Sequence, residues 1–193
     1  MNLFSLLRPA LAVFFLLTVL CGLLYPLLVT GIGKVAFPAQ AYGSLVLRDG
    51  KPVGSALIGQ SFTSPQYFWG RPSATGPMAN NAGASSGSNQ GPLNPALIDN
   101  VKARMENLRA ADPTNTLPIP VDLVTASASG LDPDISIAAA YYQVSRIARE
   151  RQLDEAVVRQ LIDSSQQQPW LGFLGEPRVN VLALNMALDQ LKN

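Results

Sequence analysis

The chain has 193 residues, with 14 Lys and Arg against 13 Asp and Glu, and its formal net charge of +1 lacks the clustered basic charge of a nucleic-acid-binding protein. Histidine is absent, which excludes Ser-His-Asp catalysis and histidine metal ligands. Cys21 is the only cysteine, so an internal disulfide and a cysteine zinc site are excluded as well, and we predict no catalytic and no metal-binding residues.

A long apolar segment stands near the N-terminus. Residues 9–33 are 25 consecutive uncharged residues between Arg8 and Lys34. As a helix they span roughly 37 Å, which is enough to cross a hydrocarbon core of about 30 Å. The sequence therefore predicts a short N-terminal tail (1–8), a transmembrane helix (9–33) and a soluble domain (34–193). The flanking charges do not decide which end of the helix is cytoplasmic.

The apolar segment carries two further hypotheses. Ala39-Gln40-Ala41 has the form of a signal-peptidase site, but the apolar run exceeds the 7 to 15 residues, roughly, of a signal peptide. We therefore predict that the segment remains as a membrane anchor, and its cleavage as a signal peptide is the alternative. Thr18 and Gly22 are two small residues spaced four apart, a pattern that favours contact with a partner's membrane helix but also arises by chance.

The first elements after the span are a hairpin and a helix. Alternating apolar and polar residues around Asp49-Gly50 predict a β-hairpin, and its buried face would hold Leu45, Leu47, Val53 and Leu57. A helix is predicted from Asn94 as N-cap and Pro95 as first residue to Asp112-Pro113. Its apolar residues follow a helical spacing, namely Leu97, Ile98, Val101, Met105 and Leu108.

The C-terminal half mixes strands and helices. We predict a strand near 121–125, a helix capped by Asp132, a helix capped by Asp154 and a final helix from about Val179. The inward residues of the second helix would be Ile137, Tyr141, Val144 and Ile147. Since strands and helices do not alternate strictly, the predicted fold is a single N-terminal transmembrane helix followed by a compact α+β soluble domain.

Arg71 is the only charged residue between Pro52 and Ile98, and it follows Tyr67, Phe68 and Trp69. A guanidinium beside aromatic rings stacks on them, or it holds a carboxylate or phosphate of a partner. On this hypothesis Tyr67, Trp69 and Arg71 form a partner contact. The alternative is a structural arginine that fixes a loop through backbone carbonyls.

The stretch 70–95 is rich in Gly, Ser, Asn and Pro. Backbone N–H groups of small residues can converge on an anion, so we consider a nucleotide-binding loop formed by Ser86, Gly87, Ser88, Asn89, Gln90 and Gly91. No lysine lies between Lys51 and Lys102, so a nucleotide bound here would need a cation from another chain. We predict an ordered surface loop whose main role is contact with a partner subunit.

Several strings resemble one family, the C subunit (KdpC) of the bacterial Kdp potassium-transporting P-type ATPase. The strings lie in the family's order between residues 7 and 185, and they include "GLLYPLLVTG", "LIGQSFTSPQYFWGRPSATG", "SSGSNQGPLNPAL" and "LGFLGEPRVNVLALN". Two departures stand out: Ser86 replaces a glycine of the family's loop, and Asp134 stands where a histidine is frequent.

The resemblance implies a non-catalytic, single-span subunit of the bacterial inner membrane. Its implied partners are a channel-like potassium-binding subunit, the ATP-hydrolysing P-type subunit and a very small membrane peptide, together with membrane lipid. No cofactor would be held stably, but ATP would enter a ternary complex with the hydrolysing subunit. In that view the chain is a catalytic chaperone that raises ATP affinity through the loop at 86–91. The alternative is an extracytoplasmic cap near the potassium entrance, with no nucleotide contact.

Overall fold

The structure, a computed structural model, describes residues 3–191. The chain divides into two units, Met1–Leu45 and Val46–Asn193. The first unit contains three consecutive helical segments and a short helix after them: α1 (Leu3–Val19), a π-helical segment (Leu20–Leu24), α2 (Tyr25–Ala36) and α3 (Pro38–Ala41).

The described residues contain one helix long and apolar enough to cross a membrane, Leu6–Ala36. All of its large apolar side chains are exposed in the chain by itself. Pro26 has no N–H and would leave a carbonyl of the preceding turn without its donor, and the π-helical segment ends two residues before it. There the N–H of Tyr25 donates to the carbonyl of Leu20, one residue further back than in an α-helix. The helix therefore continues through the proline.

The second unit contains short strands and five helices. In chain order its elements are β1 (Leu45–Arg48, which begins at the end of the first unit), β2 (Lys51–Ser55), α4 (Pro95–Ala111), a 3-10 turn (Val121–Leu123), β3 (Asp134–Ser136), α5 (Ile137–Tyr142), α6 (Val144–Arg151), α7 (Glu155–Ser165), β4 (Arg178–Asn180) and α8 (Val181–Gln190). This mixture, after an apolar helix, confirms the predicted fold class.

The predicted hairpin is present, but its predicted buried face is wrong. Strands β1 and β2 pair around Asp49 and Gly50, which both have the positive φ that a tight two-residue turn requires. Its apolar residues are exposed instead of buried, namely Leu45, Leu47, Val53 and Leu57. Alternation in sequence shows that a strand has two different faces, but it does not show that another layer covers either face.

Helix α4 begins and ends where predicted. The side chain of Asn94 accepts a hydrogen bond from the N–H of Ala96, Pro95 is the first helical residue, and Asp112 is the C-cap. Leu108 is buried, and Val101 and Met105 pack against the core. Ile98 is exposed, in contrast to the prediction, because the helix packs against the core only from Val101 onwards.

Two predictions between residues 121 and 136 are wrong. Val121–Leu123 is a 3-10 turn instead of a strand, and the carboxylate of Asp122 accepts hydrogen bonds from the N–H and hydroxyl of Ser136. Asp132 does not cap a helix: its Oδ1 accepts from the N–H of Asp134, at the start of strand β3. Helix α5 begins later, and Ser136 is its N-cap.

Strands β3 and β4 pair antiparallel, with Asp134 opposite Asn180 and Ser136 opposite Arg178. The carboxamide of Asn180 caps α8, so the final helix begins at Val181, two residues later than predicted. The side chain of Asp154 caps α7 as predicted. The core lies between these two strands and helices α5 to α8, and its largest fully buried apolar side chains are Phe68, Ile135, Ile147, Ile162, Leu184 and Leu188.

Candidate functional site

The predicted nucleotide loop is held by backbone contacts with a second loop. The N–H of Ser86 donates to the carbonyl of Ser129 (2.9 Å), and the hydroxyl of Ser85 donates to the same carbonyl (3.0 Å). A methyl group on Gly87 would lie 2.8 Å from the carbonyl oxygen of Ala128. Gly87 is therefore needed for close approach of two backbones, and the N–H of Ser86 is already used within the chain.

The tip of this loop is exposed. Ser88 and Asn89 are exposed, and Asn89 has a φ of +50°. The carboxamide of Gln90 accepts a hydrogen bond from Asn100 of helix α4 (3.3 Å), and a methyl group on Gly91 would meet no atom within 4 Å. None of residues 86–91 lines the clefts described below. Nucleotide binding at these residues stays a prediction.

The aromatic segment 67–69 is bound to the core by two side-chain amides. Asn185 accepts from the N–H of Phe68 (2.8 Å) and donates to its carbonyl (3.0 Å). Gln143 accepts from the N–H of Trp69 (2.8 Å) and donates to its carbonyl (3.1 Å). Each amide thus satisfies both polar groups of one peptide residue, as a neighbouring strand does in a sheet.

Two buried arginines of helix α6 complete this attachment. The guanidinium of Arg146 lies 4.1 Å from the ring centre of Trp69 and donates to the carbonyls of Pro65 and Tyr67. Burial lowers the pKa of Arg146 to about 10. The guanidinium of Arg151 lies 4.7 Å from the ring centre of Tyr67. The cations that stack on these rings therefore come from α6 and not from Arg71, which corrects one of the sequence hypotheses.

Arg151 also forms the centre of a charged cluster with Asp189 of helix α8. Its Nη2 lies 2.7 Å from Oδ1 of Asp189, whose Oδ2 accepts from Arg48 (3.0 Å) and from the hydroxyl of Tyr67 (3.3 Å). Burial by itself would raise the pKa of Asp189, but the hydrogen bonds from Arg151 and Arg48 outweigh burial and hold this pKa below its usual value. The carboxylate thus stays charged and links the hairpin, the aromatic segment and two helices.

Arg71 makes contacts of the kind expected for a structural arginine. Its Nη1 lies 2.9 Å from Oδ2 of Asp132, and its Nη2 donates to the carbonyl of Ala126 at 3.5 Å. Its Nε is buried and has no hydrogen-bond partner among residues 3–191. These contacts fix the start of the loop 70–95 against the segment 126–132. The same loop is fixed further by Ser73, whose hydroxyl donates to the carbonyl of Gly130 (2.6 Å).

Arg71 lies between two clefts of different charge. The first, of about 530 Å³, has two arginines in its lining, Arg71 and Arg104, and no carboxylate. The second, of about 570 Å³, has an excess of carboxylates, with Asp122, Asp132, Asp134 and Glu176 against Arg71 and Arg178. Burial raises the pKa of Asp134, and the charge of Arg178 opposes that shift only in part. No group of acidic, cysteine or histidine side chains among residues 3–191 has the arrangement of a metal site.

The two small residues of the apolar helix are adjacent on one face. A methyl group on Gly22 would lie 4.0 Å from Cγ2 of Thr18, and the Thr18 hydroxyl donates to the carbonyl of Phe14 at 2.8 Å. Thr18 therefore has its hydroxyl satisfied within the helix, which suits an apolar environment. Contact with a partner's helix at these two residues stays a prediction, as does partner contact at Tyr67, Trp69 and Arg71.

An exposed apolar tip between α7 and β4 was not predicted from the sequence. Trp170, Leu171 and Phe173 are 71%, 67% and 72% exposed, and the N–H of Trp170 donates to the carbonyl of Leu174 (3.1 Å). Leu171 and Gly172 both have positive φ, as a tight turn requires. The Gly-punctuated apolar string was visible in the sequence, but its exposure was not, because apolar residues at a loop resemble core residues in composition.

The sequence of the chain matches a known protein family. The family described as "K+-transporting ATPase, c chain" (KdpC) matches residues 7–190. A potassium-transporting ATPase KdpC subunit of Herminiimonas arsenicoxydans is 67% identical over 186 residues, which are 96% of this chain and 98% of that one. The subunit of the same name from Polaromonas naphthalenivorans is 66% identical over 188 residues, 97% of this chain and 96% of that one.

Proposed function

The chain belongs to the KdpC family, the c chain of K+-transporting ATPases, and we propose that it is a membrane-anchored accessory subunit of an ATP-driven potassium-transporting complex. The apolar helix Leu6–Ala36 would hold it in the bacterial inner membrane. The unit Val46–Asn193 would contact the other subunits, for which we propose a channel-like potassium-binding subunit, an ATP-hydrolysing P-type subunit and a small membrane peptide.

We further propose that the chain assembles the complex and does not itself hydrolyse ATP. The sequence lacks a phosphate-binding P-loop, so hydrolysis of the P-loop type is not available to this chain. The observation that carries the assembly role is the attachment of the loop 70–95 to the segment 126–132. Arg71, Ser73, Ser85 and Ser86 each donate at least one hydrogen bond to that segment, and these contacts fix the loop as a surface for a partner subunit.

A second candidate role is that of a catalytic chaperone that raises the ATP affinity of the hydrolysing subunit. The exposed Ser88 and Asn89 favour it, since both side chains remain available to a nucleotide that a partner holds. The occupied N–H of Ser86 weighs against a complete phosphate cradle within this chain. A cap on the extracytoplasmic side of the channel-like subunit would need no nucleotide contact and is the form of the assembly role that we favour.

Labelling of single cysteines from outside intact cells separates these roles. The chain with Ser88→Cys places a thiol on the exposed loop, and the chain with Ser5→Cys places one before the apolar helix. Cys21, within that helix, is the only other thiol, so the unaltered chain is the control. We expect a membrane-impermeant maleimide to label position 88 but not position 5. The reverse pattern would refute the extracytoplasmic cap and favour direct nucleotide contact.

The assembly role is tested on the purified complex. Removal of this chain should release the hydrolysing subunit from the channel-like subunit or lower the potassium affinity of the complex. Arg71→Ala should reduce co-purification because it frees the loop from Asp132, whereas Arg159→Ala, at an exposed ion pair on α7, should not. An Arg71→Ala complex that assembles fully but needs more ATP would contradict the assembly role and support the chaperone.

A further inference from the structure

The cleft of about 530 Å³ beside Arg71 has the composition of a ligand site. Its lining residues come mainly from segments 60–63 and 69–73 and from helix α4, with Leu123 in addition. Its volume falls within the range of roughly 300 to 1,000 Å³ that is usual for small-molecule sites. Apolar walls come from Phe62, Trp69 and Leu108, and neutral hydrogen-bonding groups come from Ser61, Thr63, Asn80 and Asn107.

Arg104 brings a charge to this cleft that the chain does not neutralise. Its Nη1 donates to the carbonyl of Val124 (2.9 Å), and no ion pair among residues 3–191 includes it. Its neighbours three and four residues away on α4 are all uncharged, namely Asn100, Val101, Asn107 and Leu108. Burial lowers the pKa of Arg104, as expected for a partly desolvated cation without a counter-charge.

Arg71 adds a second guanidinium to the same lining. Asp132 pairs with its Nη1 but lines the neighbouring cleft, so the carboxylate does not stand in this one. The buried Nε of Arg71 has no hydrogen-bond partner among the described residues. A buried donor without an acceptor is costly, so the contacts within the chain do not satisfy every donor of this guanidinium.

We propose that this cleft binds a small organic anion, in which a carboxylate or phosphate group pairs with Arg104 and Arg71 and an apolar body lies against Trp69 and Leu108. Guanidinium groups favour such oxyanions because their N–H donors match two oxygens at once. This site is separate from the loop at 86–91, and its existence does not depend on the subunit role proposed above.

The fluorescence of Trp69 can report ligand binding directly, because Trp69 lines the cleft and the only other tryptophan of the sequence, Trp170, does not. In the full-length Trp170→Phe chain in detergent, phenyl phosphate and benzoate should change the fluorescence of Trp69 in a saturable way. Benzyl alcohol, which has the ring but no charge, should bind at least about tenfold more weakly, because a hydrogen bond to a charged group contributes about 1.5 to 3 kcal/mol. Equal binding of the neutral compound, or no saturation by either anion, would overturn the proposal.

Substitutions at Arg104 test whether this arginine binds the anionic group of the ligand. Arg104→Gln should weaken phenyl phosphate binding about tenfold to a hundredfold. Arg104→Lys keeps the charge and a donor for Val124, so it should fold even if the glutamine variant does not, and it should retain part of the affinity. Arg109→Gln changes an exposed arginine on the same helix, outside the cleft, and should leave binding unchanged. Unchanged binding in a folded Arg104→Gln chain, or an equal loss in Arg109→Gln, would refute the assignment.

Discussion

Replacement of Arg151 by methionine tests whether the buried arginines of α6 hold the aromatic segment to the core. The Arg151 side chain is 2% exposed. Its Nε donates to the carbonyl of Gln66 (2.8 Å), its Nη1 to that of Leu188 (3.4 Å) and its Nη2 to Asp189 (2.7 Å). Methionine has a similar length and fills much of the space, so the substitution chiefly removes the charge and three donated hydrogen bonds.

The expected loss of unfolding free energy is about 3 to 5 kcal/mol, the usual cost of removing one partner of a buried ion pair. Loss of the charge-assisted bond to Asp189 accounts for about 1.5 to 3 kcal/mol, and the carbonyls of Gln66 and Leu188 lose their donor as well. Asp189 keeps its contacts with Arg48 and Tyr67, which limits the penalty. At about 2 to 4 °C per kcal/mol for a chain of this size, Tm should fall by about 6 to 20 °C.

Thermal unfolding of the full-length chain in detergent, followed by near-ultraviolet circular dichroism, measures this effect. Arg159→Met is the matched control, because Arg159 pairs with Glu155 at 3.2 Å and both side chains are 48% exposed. Such a pair contributes less than about 1 kcal/mol. In a chain that already carries Asp189→Asn, the Arg151→Met substitution should cost less unfolding free energy, and the difference is the energy of the bond between Arg151 and Asp189. Equal decreases in Tm for Arg151→Met and Arg159→Met would show that the buried arginine does not hold the aromatic segment.

Two further predictions concern the loop and the acid limit of stability. Gly87→Ala should destabilise the chain by about 1 to 3 kcal/mol, because its methyl group would lie 2.8 Å from the carbonyl oxygen of Ala128. Gly91→Ala, whose methyl group would meet no atom, should change the stability by less than about 0.5 kcal/mol. Equal melting temperatures of the two variants would contradict this prediction. Burial would raise the pKa of Asp112, but the hydrogen bond and charge of Arg149 (2.7 Å) outweigh burial and hold this pKa below its ordinary value of 3.8. Ionised Asp112 therefore adds to the free energy of unfolding above pH 3.8, and this stabilisation is lost as the pH falls through the lower pKa of the folded state. The Asp112→Asn chain should show a flatter dependence of stability on pH in this acid range.

Local signals predicted two helix starts and the hairpin turn. Asn94 and Asp154 were identified as caps, and Asp49-Gly50 as a two-residue turn, because each depends on a side chain or a φ value within a few residues. The strand at 121–125 and the cap at Asp132 were wrong for a tertiary reason. Asp122 binds Ser136, and Asp132 pairs with Arg71 as well as with its neighbour Asp134, and no local pattern identifies the distant partners.

The candidate site depends even more on distant contacts. Arg146 and Arg151 were not identified as buried, since an arginine on an apolar helix face is usually at its solvent edge. Arg151 does lie on the predicted inward face, four residues after Ile147, and that register was the one signal in the sequence that pointed to it. Arg104 and Arg71 are 33 positions apart in sequence, and only the folded chain brings them to one cleft.

The amide pairs that hold Phe68 and Trp69 also bear on how the chain folds. Asn185 is 117 residues from Phe68, and Gln143 is 74 residues from Trp69, so these contacts close very long loops. Segment 67–69 lies outside the helices and strands and has no adjacent strand to order it earlier. We expect it to take its final conformation only after α5, α6 and α8 have packed together. In native-state hydrogen exchange, the amides of Phe68 and Trp69 should therefore exchange only when the whole unit opens, although they belong to an irregular segment.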